Sequence, residues 1–439
     1  MRHCYISIVV KRADACYDHR MKKRTYTAVC QSEYLMAFGL DPDRVIYFDI
    51  ETTGFRPSTS SLYMIGWAVQ SGCQPCCEDG PASWSVTQIM AQSRREEVML
   101  LRQFADILKD YDTIIEFNGD RFDLPYLREK YLSYDMHDPL SRFTTVDLYR
   151  QIRPYRQALG LARLNQKSVE RFLEIQRSDP YSGGELIDVY RTVRDHRCDS
   201  PDDDEKAVSA LFLHNREDVT GMMDMTPLLA YRMAVESSAT VTGSVRGIWP
   251  VSGKPDEGQC DSGKPDAEQR IYGKPDADHC VSGRSASGSP MSGTTCIIAF
   301  YKLDVPVPKP FAASMDGSCE VDVSGSLVRV VIRPFCGCMY HFFPDYKNYY
   351  YLPEEDTAMH KSVASFVDPA HREKAKAQNC YVKREGVFLP SLSESESHPM
   401  FRRSFTDPVK WFEYTQGMEN NGEFFGNYIH NLVCSLCST

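Results

Sequence analysis

The sequence predicts an α/β protein: a mixed five-stranded sheet flanked by helices, then a disordered linker, then a smaller α+β C-terminal region. Three observations predict it. Apolar runs of strand length come first and then alternate with segments of helical period; composition turns to Gly, Pro, Ser and Asp near residue 236; beyond Cys296 the chain is aromatic and strand-like. At 439 residues the chain exceeds what one hydrophobic core usually fills, so more than one unit is expected.

Residues 1–40 are mixed and weakly basic, with "KKR" at Lys22 to Arg24, and read as a weakly ordered N-terminal segment. The ordered unit is expected over residues 41–235. "VIYFDI" from Val45, "LYMIGWAV" from Leu62 and "SWSVTQIM" from Ser83 read as three successive strands separated by Gly, Pro and Ser. Val98, Leu101, Phe104, Ala105 and Leu108 then recur at helical spacing, with Ser93 and Glu96 placed as a capping box. "DTIIEFNG" is a fourth strand, "LPYLREKYL" a helix, and "FTTVDLYRQI" from Phe143 a fifth strand running into a helix. The long apolar-sided helix that closes the unit should end or kink at Pro227.

Residues 236–295 read as a low-complexity repeat linker. "GKPD" recurs at Gly253, Gly263 and Gly273, and such a decapeptide has too little apolar surface to offset its ordering entropy. Residues 296–439 offer strands in "CIIAFY", "SLVRVVIRPF" and "YHFFPDYKNYYYLP", helical stretches in "DTAMHKSVASFV" and "PAHREKAKAQ", and a hairpin in "CYVKREGVFLP". The aromatic cluster reads first as core, with a base-stacking surface as the alternative.

Composition excludes some classes. No run reaches the roughly 18 apolar residues of a membrane span, and charges interrupt the start too early for a secretory signal, so a cytoplasmic protein is expected. A formal net charge of −10 argues against coating nucleic acid by bulk electrostatics, while leaving room for a local grip on a few phosphates. The 16 cysteines form no regular framework and read as reduced thiols; zinc-like spacing occurs only at Cys73/Cys76 and Cys434/Cys437, far apart in the chain.

The stretch "YFDIETTGF" puts two acids in a strand of the core. Alternate strand side chains share a face, so Asp49 and Glu51 point together and away from Phe48 and Ile50. Two neighbouring carboxylates repel and lose solvation, which either solvent at a strand end or a divalent cation relieves. "FNGDRFDLPYL" places Asp123 at the start of a helix, five residues after Asn118. In "LFLHNREDVTGMM", His214 and Asp218 are four apart and share a helix face.

"DIETTG", "FNGDRFDLPYL" and "HNREDV", in this order, resemble the three exonuclease motifs of the DEDD superfamily, the DnaQ-like nucleases of the ribonuclease H-like fold. The likeness is nearest to the YprB-type ribonuclease H-like domain and covers roughly residues 41–235. It implies a 3′ to 5′ exonuclease acting on single-stranded or frayed DNA or RNA, with nucleic acid as partner and no membrane. It implies two divalent cations, Mg²⁺ or Mn²⁺, held by Asp49, Glu51, Asp123 and Asp218, with His214 as general base and Thr52, Gly54 and Asn118 near the substrate. Oxygen donors of this kind suit hard cations independently of the resemblance. The sequence departs from the family at one point: His214 precedes Asp218 by four residues, the family's tyrosine spacing, where its histidine stands five before. A nucleic-acid-binding module with little catalysis and a structure-specific endonuclease are the alternative readings.

Overall fold

The computed structural model describes residues 21–71, 82–236, 249–251, 294–391, 399–415, 418 and 421–437. The "GKPD" repeats and the Cys73/Cys76 pair lie outside the described residues, as do residues 1–20.

The central sheet has six strands where the sequence predicts five, in the order β1-β4-β3-β2-β5-β6. These are β1 (Lys22–Val29), β2 (Val45–Thr52), β3 (Leu62–Gln70), β4 (Ser83–Met90), β5 (Thr113–Glu116) and β6 (Thr144–Asp147). β5 and β6 run parallel to β2, and the remaining pairs are antiparallel. The added strand, β1, corrects the expectation that residues up to 40 are weakly ordered. Its "KKRTYTAV" alternates half-buried with exposed positions as an edge strand should, and its cations are anchored: Lys22 to Asp204 at 3.3 Å and Arg24 to Glu205 at 2.8 Å. Charge along an edge also deters pairing with other chains.

The helices of this unit are α1 (Ser32–Ala37), α2 (Arg94–Leu108), α3 (Asp123–Ser133), α4 (Leu148–Ile152), α5 (Gln166–Phe172), α6 (Gly183–Arg194), α7 (Pro201–Asp224) and α8 (Leu229–Glu236). Pro227 sits in a 3-10 turn between α7 and α8 and ends the long helix as its ring geometry requires. At α2, Ser93 accepts from the Glu96 amide at 3.3 Å, but the Glu96 carboxylate turns to the Gln92 amide, so the capping box is half formed. A complete box stands instead at Ser182 and Glu185, ahead of α6.

The two faces of β2 separate as strand parity dictates. Ile46, Phe48 and Ile50 pack with Leu101, Phe104 and Leu127 of α2 and α3, while Val45 and Tyr47 join the core on the α7 side. A buried ion pair ties the first layer together. Lys130 Nζ lies 2.7 Å from Glu97 Oε1 and donates to the Ser60 carbonyl, while Glu97 accepts from the Leu62 amide and the Tyr134 hydroxyl. This pins α3, whose first residue is Asp123, to the start of β3.

The C-terminal region is mainly β. One sheet orders β7 (Trp249–Val251), β8 (Thr294–Lys302), β11 (Leu327–Ile332), β10 (Cys319–Ser324) and β9 (Phe311–Met315). A second orders β12 (Phe335–Phe342), β16 (Tyr381–Ser391), β18 (Lys410–Glu413) and β17 (Met400–Phe401), and a third orders β14 (Thr357–His360), β13 (Tyr349–Leu352) and β15 (Glu373–Lys374). Two short helical expectations fail. "DTAMH" is mostly strand with only α9 (Lys361–Ala364) following, and "PAHREKAKAQ" holds a 3-10 turn and β15. "CYVKREGVFLP" is one long strand, not a hairpin, because Gly386 pairs in register with Gly337 and extends the ladder through that point.

The regions share a core. Ile297, Ala299, Tyr301 and Phe311 pack with Val219, Met222, Tyr231 and Val235, and α10 (Gly422–Cys437) closes the cluster. Tyr34 donates to the Pro306 carbonyl, Tyr231 to Lys309 and Tyr301 to Ala234. Cys434 donates to the Val235 carbonyl and Cys437 is buried, so on α10 this CxxC serves packing.

Replacing Lys130 by Met leaves Glu97 buried without its cation. It should destabilise the protein by about 3–5 kcal/mol, read as a lower urea midpoint with an unchanged slope.

Candidate active site

The carboxyl ends of β2 and β5 open towards α7, and the acids gather there. Asp49 pairs in register with Gly66, Glu51 with Met64, and the ladder shifts directly after Glu51, so β2 leaves regular pairing as it delivers the second acid. Gly66 is required at its position: a Cβ there would stand 2.0 Å from Asn215 Oδ1. The cleared space lets Asn215 Nδ2 donate to Asp49 Oδ2 at 2.9 Å while Gln88 holds its Oδ1 at 2.8 Å. Asp123 begins α3 and is buried; Asp218 lies one turn beyond His214 on α7.

Of the residues the sequence predicts, the four acids and His214 come together. His214 Nε2 is 3.2 Å from Asp218 Oδ2 and 3.8 Å from Glu51 Oε1. One ligand atom from each of Glu51, His214 and Asp218 lies within 4.8 Å of the others. The departure in spacing therefore does not remove His214 from the cluster. Thr52 donates its hydroxyl to the Gly54 carbonyl, which also accepts from Ser60, so both residues shape the turn after β2. Asn118 adopts a left-handed φ of 63° and donates its amide to Asp147 at 2.8 Å. Among the described residues, neither Thr52 nor Asn118 gives a side-chain hydrogen bond to the four acids.

The sequence reading misses the residues that organise this cluster. Arg177 donates to Asp218 Oδ1 at 2.7 Å and to Glu170 Oε1 at 3.0 Å, with Asp179 and Glu217 at 3.5 and 3.8 Å. Glu217 accepts from the Ser178 and Asp179 amides and fastens this loop to α7. Asp179 Oδ2 lies 2.6 Å from His214 Nδ1. Lys167 also reaches Asp179, at 3.1 Å. Within "HNRED" helix geometry gives the His214–Asp218 pair alone; Arg177 and Asp179 are long-range contacts with no local signal.

The electrostatics follow from burial. Burial, then the Asp218 and Glu51 charges, push Asp49 well above the usual carboxylate range. Burial likewise raises Glu51 to about 7, although His214 works against it, and raises Asp123 to about 7 against its own and the Ile50 backbone amides. Asp179 goes the other way. Burial would raise it, but the Tyr181 amide, His214 and Lys167 hold it below its ordinary value, so it is a charged acceptor and His214 Nδ1 carries the proton it receives. Burial works to lower His214, and the Glu51 and Asp218 carboxylates outweigh it, raising the imidazole above 6.5.

These residues fit divalent cations. The donors are hard carboxylate oxygens, Glu51 Oε1 is buried without a hydrogen-bond partner among the described residues, and the burial and then the like-charge crowding that raise three acids are what a cation would offset.

Residues 46–230, which carry all five residues, match the family model described as RNase_H superfamily. This region has the ribonuclease H-like fold, a mixed sheet flanked by helices. No curated protein matches the chain. Among solved structures it is similar to the family B DNA polymerase from the hyperthermophilic archaeon Pyrobaculum calidifontis, at 19% identity and a TM-score of 0.32, over 44% of this chain and 25% of that one. The matched part is thus a minor share of the polymerase chain.

A raised acid fixes the sign of the pH dependence. The folded protein keeps a proton on Glu51 between 4.5 and about 7 that the unfolded chain releases, so metal-free stability from this group falls as pH rises through that window. Added Mg²⁺ or Mn²⁺ should therefore raise the melting temperature more at about pH 8 than at about pH 6, with proton release seen by calorimetry in two buffers. Equal shifts at both would count against cation binding by these acids.

Proposed function

We propose that the chain is a metal-dependent 3′ to 5′ exonuclease that hydrolyses single-stranded or frayed DNA or RNA. The observation that carries this reading is the convergence of Asp49, Glu51, Asp123 and Asp218, from three separate stretches, with the Nε2 of His214 beside Glu51 and Asp218. The family match over residues 46–230 supports it.

Asp49, Glu51, Asp123 and Asp218 would hold two divalent ions, which supply water activation and charge stabilisation at the leaving oxygen when bound. His214 is suited to take a proton at Nε2, because Asp179 fixes the proton on Nδ1 and aims the ring. While Glu51 and Asp218 are charged and uncompensated, the imidazole holds its own proton; once their charge is offset it is free to accept one. Thr52, Gly54 and Asn118 line the turns beside the acids, where substrate would pass. Phe55, 89% exposed, stands edge-on to Phe122 at 5.9 Å and offers a face on which a terminal base can stack.

A second reading has its own observation. Arg177 already satisfies Asp218 Oδ1, as suits a nucleic-acid-binding module that works without catalysis.

Incubation of 5′-labelled single strands of DNA and RNA with Mg²⁺ or Mn²⁺ separates the two. A ladder of shortened products, abolished by EDTA and by Asp49→Ala, is expected; binding without cleavage in either metal would leave the module. Cleavage of a circular strand would instead indicate an endonuclease. His214→Ala should lower kcat by 10²-fold or more with cation binding largely retained, and Asp179→Asn should lower kcat with a shifted pH profile. If His214→Ala abolishes cation binding, the histidine is a ligand and not the base. Phe55→Ala should raise KM and leave kcat within about twofold.

A further inference from the structure

A second group of acids lies on the two strands beyond β2. Glu116 ends β5 and Asp147 ends β6, and the parallel register sets them opposite each other. Like charges facing across a ladder are destabilising. Both residues are buried, at 1% and 2% exposure. Asp120, in the loop between β5 and α3, completes a cluster whose three ligand oxygens lie within 4.8 Å of one another.

Each buried acid uses one oxygen and leaves the other. Glu116 Oε2 accepts from the Gly119 amide, while Oε1 has no hydrogen-bond partner among the described residues. Asp147 Oδ1 accepts from the amides of Asn118 at 2.8 Å, Tyr149 at 2.9 Å and Arg150 at 3.3 Å, while Oδ2 is likewise without a partner. Two buried acceptor oxygens without a donor, on two acids of one cluster, call for a shared counter-charge. Arg150 pairs with Asp120 at 2.6 Å and offsets one of the three negative charges. With all three acids ionised two charges remain, the charge of one divalent ion. The loop is also fitted to the spot: a Cβ on Gly119 would stand 2.7 Å from Glu116 Oε2.

We propose that Glu116, Asp120 and Asp147 form a further binding site for a hard divalent cation, Mg²⁺, Mn²⁺ or Ca²⁺, built from residues other than those of the neighbouring Asp49 cluster. Its donors are all carboxylate oxygens, which suit these ions and not soft metals. It bridges β5, β6 and the Phe117–Phe122 loop. That loop leads directly into Asp123, so the ion holds the segment that presents an acid of the neighbouring cluster. The site stands or falls independently of nuclease activity.

The test counts bound Mn²⁺ by electron paramagnetic resonance on the full chain. In an Asp49→Asn, Asp218→Asn background, about one Mn²⁺ should remain, and adding Glu116→Gln should weaken that binding at least tenfold. Should the background variant fail to fold, the comparison is made directly: Glu116→Gln and Asp120→Asn should each bind one Mn²⁺ fewer than the unsubstituted chain. No Mn²⁺ in the folded background variant, or stoichiometry unchanged by Glu116→Gln, overturns the proposal. So does a higher melting temperature for Glu116→Gln in EDTA with unaltered Mn²⁺ binding, the signature of a proton shared between Glu116 and Asp147.

Discussion

Strand parity places Asp49 and Glu51 on the same face of β2, and almost every other feature of the region answers the repulsion that results. The opposite face of the strand is committed to Phe48 and Ile50 in the core, so the acids cannot rotate away without expelling those side chains. Asp123 and Asp218 add to the charge. A cluster of this kind holds together only with compensation, and the structure provides some of it internally. Asn215 binds Asp49, Tyr63 lies 3.4 Å from Glu51, and Arg177 binds Asp218. Glu51 Oε1 is left over.

Arg177 explains how α7 can carry acids on its inner face. Its guanidinium faces Glu170, Asp179, Glu217 and Asp218, and its own loop is fixed by Glu217 accepting backbone amides. The arginine therefore does not roam among alternative partners. It sets the position of Asp218, and through Asp179 the same loop sets the orientation of His214. Small side-chain displacements there move an acid and a base together.

The legible parts of the site were those with local rules. Asp49 and Glu51 followed from a period of two, the His214–Asp218 pair from helical spacing, and Asp123 from a helix start; the resemblance joined them. Arg177 and Asp179 depend on a loop folding back over a helix some forty residues later in the chain, and Asn215 on strands far earlier in it; no local pattern encodes either. For the fold, the five strands with apolar runs were readable. β1 was not, because the lysines and arginine that suit an edge strand also look like a solvated tail. Gly386 misled in the other direction: a glycine between apolar runs usually marks a turn, but Gly337 opposite it made continuous pairing possible.

Helix α7 ties these levels together. Its first turns receive Lys22 and Arg24 of β1, its middle carries His214, Asn215 and Asp218, and its last turns bury Val219, Met222 and Met223 in the core shared with the C-terminal region. The helix is held at both ends by segments that lie outside the ribonuclease H-like match at residues 46–230. Loosening either end tilts the face that bears the histidine and the last acid. The C-terminal region thus bears on the site through packing: Ile297, Ala299 and Tyr301 help to fix α7 and α8, and a chain that lost those contacts would keep all five site residues and lose the rigidity that sets their distances.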